Sequence, residues 1–262
     1  MSTNTKVKKC GFTLIELLVV IAIIALLLSI IVPGLKKAKD HARKTMCMSG
    51  IRQLTVAFGL YQEDNDQKFP SANIAGLSDD QNAITTYSKW GGNRGMEQGY
   101  ESDERLLNPY IGVNNRVQYG TTKSEAALGV YFCPSDRGGY GGAWGNAGGK
   151  DRLPTLHYWL GYSYNYNTDG LSSSAKYGLW GKKLSNVRSP VSVILVSDGS
   201  MAPYAYGSDP CFQYRYWHHE KELGWGNAAF VDGHVNFFRV SDSPNKPNRD
   251  WWKGSNWTFR VE

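Results

Sequence analysis

Gly11-Phe12-Thr13-Leu14-Ile15-Glu16-Leu17-Leu18-Val19-Val20-Ile21-Ala22-Ile23-Ile24-Ala25-Leu26-Leu27-Leu28-Ser29-Ile30-Ile31-Val32-Pro33 is the stretch that decides how the rest of the chain is read. From Phe12 to Val32 only Thr13, Glu16 and Ser29 are polar. At about 1.5 Å per residue this run makes a helix roughly 30 Å long, enough to cross the hydrocarbon core of a bilayer. A cleavable secretory signal has a shorter apolar region with its cleavage site after it. Here the basic residues Lys6, Lys8 and Lys9 end at Gly11, and the apolar run comes afterwards. A cut after Gly11 leaves the membrane helix on the mature chain. Glu16 is the odd residue, because a carboxylate inside a membrane helix is costly and usually has a partner. The cut would create a new amine at Phe12, and that amine can pair with Glu16 of a neighbouring copy if the helices pack with an axial offset. The bland alternative is a signal anchor whose single acid snorkels to the headgroups.

These residues resemble the type IV prepilin processing motif shared by pilins and type II secretion pseudopilins. Glu16 stands fifth after the cut, and Pro33 stands where pilins commonly kink their helix. The resemblance implies removal of the leader by a prepilin peptidase, N-methylation of Phe12, and a role for Glu16 in subunit assembly rather than in chemistry. It divides the chain into a leader at 1–11, a transmembrane and amphipathic helix at 12–64, and an extracytoplasmic α+β globular domain at 65–262.

Beyond the membrane run, Cys47, Ile51, Leu54, Phe58 and Tyr61 fall at helical spacing and form one apolar stripe. The helix therefore continues to about Asp64 and packs on a sheet further along the chain. Pro33 lacks a donor and is expected to kink the helix at the membrane exit, with Gly34 loosening the same point. Asp64-Asn65-Asp66 and Phe69-Pro70 end it by turn chemistry. Ser71–Gly99 holds no period and reads as loop. Leu106-Leu107-Asn108-Pro109-Tyr110 reads as a short apolar element stopped by its proline, and Val130-Tyr131-Phe132 as a strand end before a turn at Cys133-Pro134-Ser135-Asp136. The glycine-dense stretch 138–150 reads as a surface loop. Tyr158–Tyr166 alternates like a strand, and Val191–Val196 is a buried strand closed by Asp198-Gly199. Ala228–Val231 and His234–Val240 form a hairpin around a two-residue Asp232-Gly233 turn. These parts make an α+β, pilin-like fold, a long N-terminal helix packed on an antiparallel sheet with long loops. Trp251, Trp252 and Trp257 cap the domain or offer a sticky surface.

Once leader and membrane helix are set aside, about 200 residues remain, enough for one domain with a real core. The formal charge of the chain is +6, and the leader lysines supply half of it. Lys36, Lys37, Lys39, Arg43 and Lys44 form a second basic cluster, which competes with the leader for the cytoplasmic side. The family resemblance, not the charge count, places the leader inside. The cluster is read as a solvated helix face or a contact for lipid headgroups, and nucleic acid is disfavoured as a partner.

His218, His219, Asp232 and His234 are the one cluster that suggests a metal or acid/base centre, against the commoner reading of turn and surface hydrogen bonding. No metal-binding helix motif, paired Cys-x-x-Cys, phosphate loop, Ser/His/Asp arrangement or dinucleotide fingerprint occurs. The chain is expected to be no enzyme and to need no cofactor. The resemblance does raise calcium, which major type II secretion pseudopilins bind in a C-terminal loop. Asp136, Asp198 and Asp232 are the candidate oxygen ligands. Cys10 leaves with the leader, so Cys47, Cys133 and Cys211 remain, with three single pairings open against buried free thiols. Cys47–Cys133 is the favoured pair, because the sheet that covers the helix stripe must pass near Cys47.

The resemblance extends through Cys47-Met48-Ser49, Arg52-Gln53, Tyr61, Leu106–Tyr110, Cys133–Asp136 and Phe230–Val235 to a planctomycete-type pseudopilin-like group with a "His, nine residues, Asp-Gly" C-terminal signature. Here that histidine position is Glu222, and twelve residues separate His219 from Asp232; an insertion of three residues within Glu220–Gly224 accounts for the difference, and otherwise the signature is broken. The expected function is that of a pseudopilin in a type II secretion or pilus-like filament, held in the inner membrane with its C-terminal domain in the periplasm. The implied partners are other pseudopilins, the prepilin peptidase and methyltransferase, the inner-membrane secretion platform and membrane lipid. The alternative is an anchored or filament-tip binding module using Tyr/Trp-rich loops for glycans or other envelope polymers. A DNA-uptake pilin is a third reading, supported by the basic cluster alone.

Overall fold

A computed structural model describes residues 13–72, 74–77, 81, 85–86, 89–92, 100–113, 129–136, 157, 161–168, 178–201, 217–219 and 224–239. Helix α1 spans Leu14–Asp64 and contains Pro33. The proline removes one rung of the hydrogen-bond ladder without ending the helix. The chain divides into two units between Ala42 and Arg43, so the compact domain begins within α1 rather than after it.

In the first unit every large apolar side chain from Leu14 to Leu35 is exposed. Among the described residues α1 is the one helix long and apolar enough to cross a membrane. A helix satisfies its backbone internally, which hydrocarbon demands, and an all-round apolar surface suits that solvent.

The second unit holds the core. Cys47, Ile51, Leu54, Phe58 and Tyr61 are all buried, while Met46, Val56 and Leu60 on the other side of α1 are exposed. The expected stripe is therefore the packing face. It meets strand β1 (Tyr164–Tyr166), whose three residues are all buried. The Phe58 ring lies 4.9 Å from Tyr166, and the Tyr164 hydroxyl donates to the Cys47 carbonyl at 3.3 Å. Gly50 makes the close approach feasible, since a Cβ there would stand 2.9 Å from the Val130 carbonyl oxygen and 3.1 Å from the Tyr164 hydroxyl. The helix ends where the Asn65 side chain caps the Tyr61 carbonyl at 2.8 Å and Asp66 and Gln67 turn left-handed.

Strands β2 (Ile194–Asp198), β3 (Trp225–Phe230) and β4 (Val235–Arg239) complete a four-stranded sheet in the order β1-β2-β3-β4. All three pairings are antiparallel, with Asn165 opposite Ser197 and Ala228 opposite Asn236, and β2 carries an irregularity between Ile194 and Val196. The fold is thus α+β, with one long N-terminal helix and an antiparallel sheet.

Local details differ from the sequence expectations. The β3–β4 turn has three residues, not two. Phe230 donates to His234 across it and Gly233 donates back to Phe230, each at 2.9 Å. Gly233 takes φ +93°, giving a tight turn followed by a left-handed glycine, the usual three-residue hairpin. Pro109 does not stop an element. It sits in the first turn of a 3₁₀ helix at Asn108–Ile111, where the missing donor is harmless and its fixed φ is helical. Gly129–Tyr131 is another 3₁₀ turn rather than a strand end. Strand β2 starts at Ile194, not Val191, because Ser192 and Val193 both donate to the Ser189 carbonyl and form a turn. Of the strand expected at Tyr158–Tyr166, Gly161, Tyr162 and Ser163 are not in a strand and Tyr164–Tyr166 forms β1, while 158–160 lie outside the described residues.

Trp90 is fully buried, although it comes from a stretch read as loop. Its ring lies 5.1 Å from Tyr162, 5.4 Å from Tyr131 and 6.0 Å from Phe58. Polar pins fix its segment. Buried Asn108 donates to the Gly92 and Ser102 carbonyls at 2.8 and 2.7 Å, and buried Arg105 donates to the Gly91 carbonyl at 2.9 Å. Burial lowers the Arg105 pKa from its usual value. Trp90→Ala is expected to destabilise the domain by about 3–5 kcal/mol, whereas Val56→Ala on the exposed helix face stays within about 0.5 kcal/mol. Denaturant unfolding followed by tryptophan fluorescence and circular dichroism checks both.

Candidate functional site

Two places carry the candidate functional residues. The first is the start of α1. Gly11 and Phe12, the expected cleavage pair, lie outside the described residues. Glu16 is described. Its carboxylate accepts from the Thr13 backbone N–H at 2.8 Å and from the Thr13 hydroxyl at 2.7 Å, while the Glu16 N–H donates to the Thr13 oxygen at 3.3 Å. This reciprocal pair is a capping box, and it places the acid at the positive end of the helix. Thr13 and Glu16 thus satisfy each other within one chain.

The second place lies inside the globular unit. The sulfurs of Cys47 on α1 and Cys133 are bonded, with their Cα atoms 5.0 Å apart. Beside them the His218 Nε2 lies 3.6 Å from the Cys133 sulfur and 2.9 Å from Oδ2 of Asp198 at the end of β2, with both side chains almost wholly buried. The same carboxylate oxygen accepts from the Asn227 backbone N–H at 2.5 Å and from its side-chain amide at 2.9 Å. A buried carboxylate needs such donors, because an unpaired charge there would cost several kcal/mol. Phe237 of β4 covers the group, with its ring 6.0 Å from His218 and the Lys44 ammonium 3.2 Å above its centre. Partial burial lowers the Lys44 pKa from its usual value.

The four residues His218, His219, Asp232 and His234 do not act as one cluster. His218 pairs with Asp198, whereas His219 stacks on Trp225 at 5.7 Å. His234 donates its backbone N–H to Asp232 at 3.2 Å and pairs through its ring Nδ1 with the same oxygen at 2.6 Å. With Phe230 stacked 4.2 Å from the His234 ring, that pair pins the hairpin turn. The calcium candidates do not converge either. Asp136 is held by the Ser163 hydroxyl at 2.7 Å and the His157 N–H at 2.9 Å, while Asp198 and Asp232 serve the separate pairs above. Calcium takes six to eight oxygens around one point, and the one close group of candidate ligand residues among the described residues holds only Asp198 of the three. Burial depresses the neighbouring His157 to a pKa of about 4.

Among the described residues one group of histidine, cysteine and acidic side chains has its ligand atoms all within 4.8 Å of one another, namely Cys47, Cys133, Asp198 and His218. In the sequence its members read as separate features: a disulfide pair, a candidate oxygen ligand and one of a run of histidines. The four residues are far apart in sequence, so no local spacing links them.

The family described as "Prokaryotic N-terminal methylation motif" matches residues 6–32. The chain is 42% identical over 66 residues to type II secretion system core protein G of Escherichia coli K12, covering 25% of this chain and 45% of that protein. It is 43% identical over 56 residues to the type IV wide pilus major component PilA4 of Thermus thermophilus, covering 21% and 43%. It is 39% identical over 61 residues to a ComG operon protein 3 homolog of Bacillus licheniformis, covering 23% and 63%. The chain therefore spans less than half the length of the first two relatives. No solved structure matches it. The motif and these relatives make the N-terminal part of the chain similar to prepilins and pseudopilins, on a helix fit for membrane anchoring that leads into an α+β unit.

Non-reducing peptide maps of the full chain are expected to contain one cross-linked Cys47–Cys133 peptide. Chain entropy over a sequence separation of 86 residues gives this bond a stabilising effect of about 4–5 kcal/mol. Unfolding curves with and without a thiol reductant check that difference.

Proposed function

We propose that the chain is a structural, non-enzymatic subunit of a type II secretion or type IV pilus-like filament. A prepilin peptidase cuts between Gly11 and Phe12, and Phe12 is then N-methylated. The carrying observation is the match of residues 6–32 to the methylation motif on a helix whose apolar side chains from Leu14 to Leu35 are all uncovered. Such a surface needs lipid before assembly and neighbouring helices after it. In this reading the new Phe12 amine of an adjacent subunit replaces Thr13 as the partner of Glu16, exchanging a local cap for a charge pair in a dry helix bundle. The leader faces the cytoplasm, the domain lies in the periplasm, and the inner-membrane secretion platform and other pseudopilins are the partners.

The binding-module alternative relies on aromatic loops. Trp90, Tyr131, Tyr162, Tyr164, Tyr166 and Trp217 are all buried, and Trp251, Trp252 and Trp257 lie outside the described residues. The described aromatics therefore support a core more than a binding surface.

In cells holding a prepilin peptidase, the N-terminal peptide is expected to begin at a methylated Phe12. Glu16→Ala is expected to keep membrane levels of the chain while abolishing sheared filaments. A membrane form that still begins at Met1 or Ser2, or unchanged filaments from the variant, would overturn the reading.

A further inference from the structure

The Cys47–Cys133 bond has company that a structural disulfide does not require. Cys47 is on α1, Cys133 follows a 3₁₀ turn, Asp198 ends β2, and His218 approaches from its own segment. Four separate pieces of chain thus deliver two sulfurs, an imidazole nitrogen and a carboxylate to one buried point. We propose that, when Cys47 and Cys133 are reduced, these four residues bind one thiophilic divalent cation of the zinc type in a closed tetrahedral site. The disulfide is the metal-free form of the same site.

The donor set and the spacing support this. Two thiolates with one imidazole and one carboxylate suit zinc among the common divalent cations. With zinc–ligand bonds of about 2.0–2.3 Å, ligand atoms around a tetrahedral centre stand roughly 3.3–3.8 Å apart. The His218 Nε2 already lies 3.6 Å from the Cys133 sulfur, and it pairs at 2.9 Å with Oδ2 of Asp198, the oxygen that Asn227 also holds. The two bonded sulfurs and the His218–Asp198 pair stand closer than that, and breaking the sulfur bond together with a shift of the carboxylate opens both. Among the described residues, Oδ1 of Asp198 and Nδ1 of His218 find no hydrogen-bond partner. Asp198 Oδ1 is therefore uncommitted as a ligand atom, while Asn227 holds Oδ2 with two donors. That is how outer-shell groups orient a metal-bound carboxylate.

The chemistry balances simply. Two electrons and two protons from a dithiol reductant convert the disulfide into two thiols, and the dithiol leaves as its own disulfide. Metal binding then releases both thiol protons, and the imidazole proton moves to Nδ1 so that Nε2 can ligate. Either form ties α1 to the segment carrying Cys133. The cation would staple the newly made, reduced domain across the same span that the disulfide later closes.

The test uses the full-length chain in detergent micelles, reduced by a trialkylphosphine without oxygen and titrated with Co²⁺. One equivalent is expected to give thiolate-to-cobalt charge-transfer bands and intense visible bands of tetrahedral cobalt, which Zn²⁺ then displaces. The oxidised chain should give neither. Cys133→Ser and His218→Ala should weaken binding by more than the roughly 10–100-fold that loss of an outer-shell partner causes. Because either variant could misfold, the wild-type reduced chain is also alkylated with and without Zn²⁺. Zinc should protect Cys47 and Cys133. Absence of the bands in the reduced chain, full-strength bands in Cys133→Ser, or equal alkylation of Cys47 with and without zinc would each overturn the proposal. None of these readouts depends on filament assembly.

Discussion

Packing of the Cys47–Tyr61 stripe of α1 on β1 is the constraint on which the globular unit depends. A three-residue strand is too short to be stable alone. Tyr164 and Tyr166 nevertheless stay fully buried, because α1 covers their face and β2 pairs with their backbone. The covering is close because Gly50 has no side chain to hold the helix away. It is directional because the Tyr164 hydroxyl reaches the Cys47 carbonyl. Burial raises the Tyr164 and Tyr166 pKa values well above the ordinary one, so both phenols stay neutral and act as hydrogen-bonding wedges in the core.

What the sequence revealed of this arrangement follows from the range of each signal. The stripe is a repeating local pattern, so helix and buried face were both legible. The Asp232-Gly233 pair marked the hairpin, but the count of turn residues depends on cross-strand register, here Ala229 opposite Val235, which no dipeptide encodes. Trp90 had no periodic neighbours. Its burial depends on Asn108 and Arg105 grasping the carbonyls of Gly91 and Gly92, contacts between segments that no local window relates. Pro109 was misread because proline is a stop inside a helix and a start in its first turn, and only the location of that turn separates the two.

The site was legible in the same uneven way. Glu16 stood out because an acid in an apolar run contradicts its surroundings, although its Thr13 cap was not anticipated. The histidines were noticed as a group because they lie near one another in sequence, yet the fold separates them. His218 turns inward to Asp198, while its neighbour His219 stays at Trp225. Adjacent residues leave a chain in different directions, so a spacing counted along the sequence does not tell the side of His218 from the side of His219. Asp198 looked like a strand-closing turn residue. Its burial, and hence its demand for donors, became apparent only once β3 lay beside it.

Helix α1 is asked to meet two solvents along one length. Up to Leu35 it is apolar on all sides, and from Cys47 it is apolar on one side only. Between them lie Lys36, Lys37, Lys39, Arg43 and Lys44, charges that hydrocarbon would reject and an interface accepts. The two demands differ in what can satisfy them. The lower stripe is completed by the chain's own strands, with the Cys47–Cys133 bond and the His218–Asp198 pair at its end. The upper run has no partner within the described residues. Lipid or other helices suit such a surface. That incompleteness, together with a single acid at the start of the run, points to a molecule whose function is exerted in contact with its neighbours.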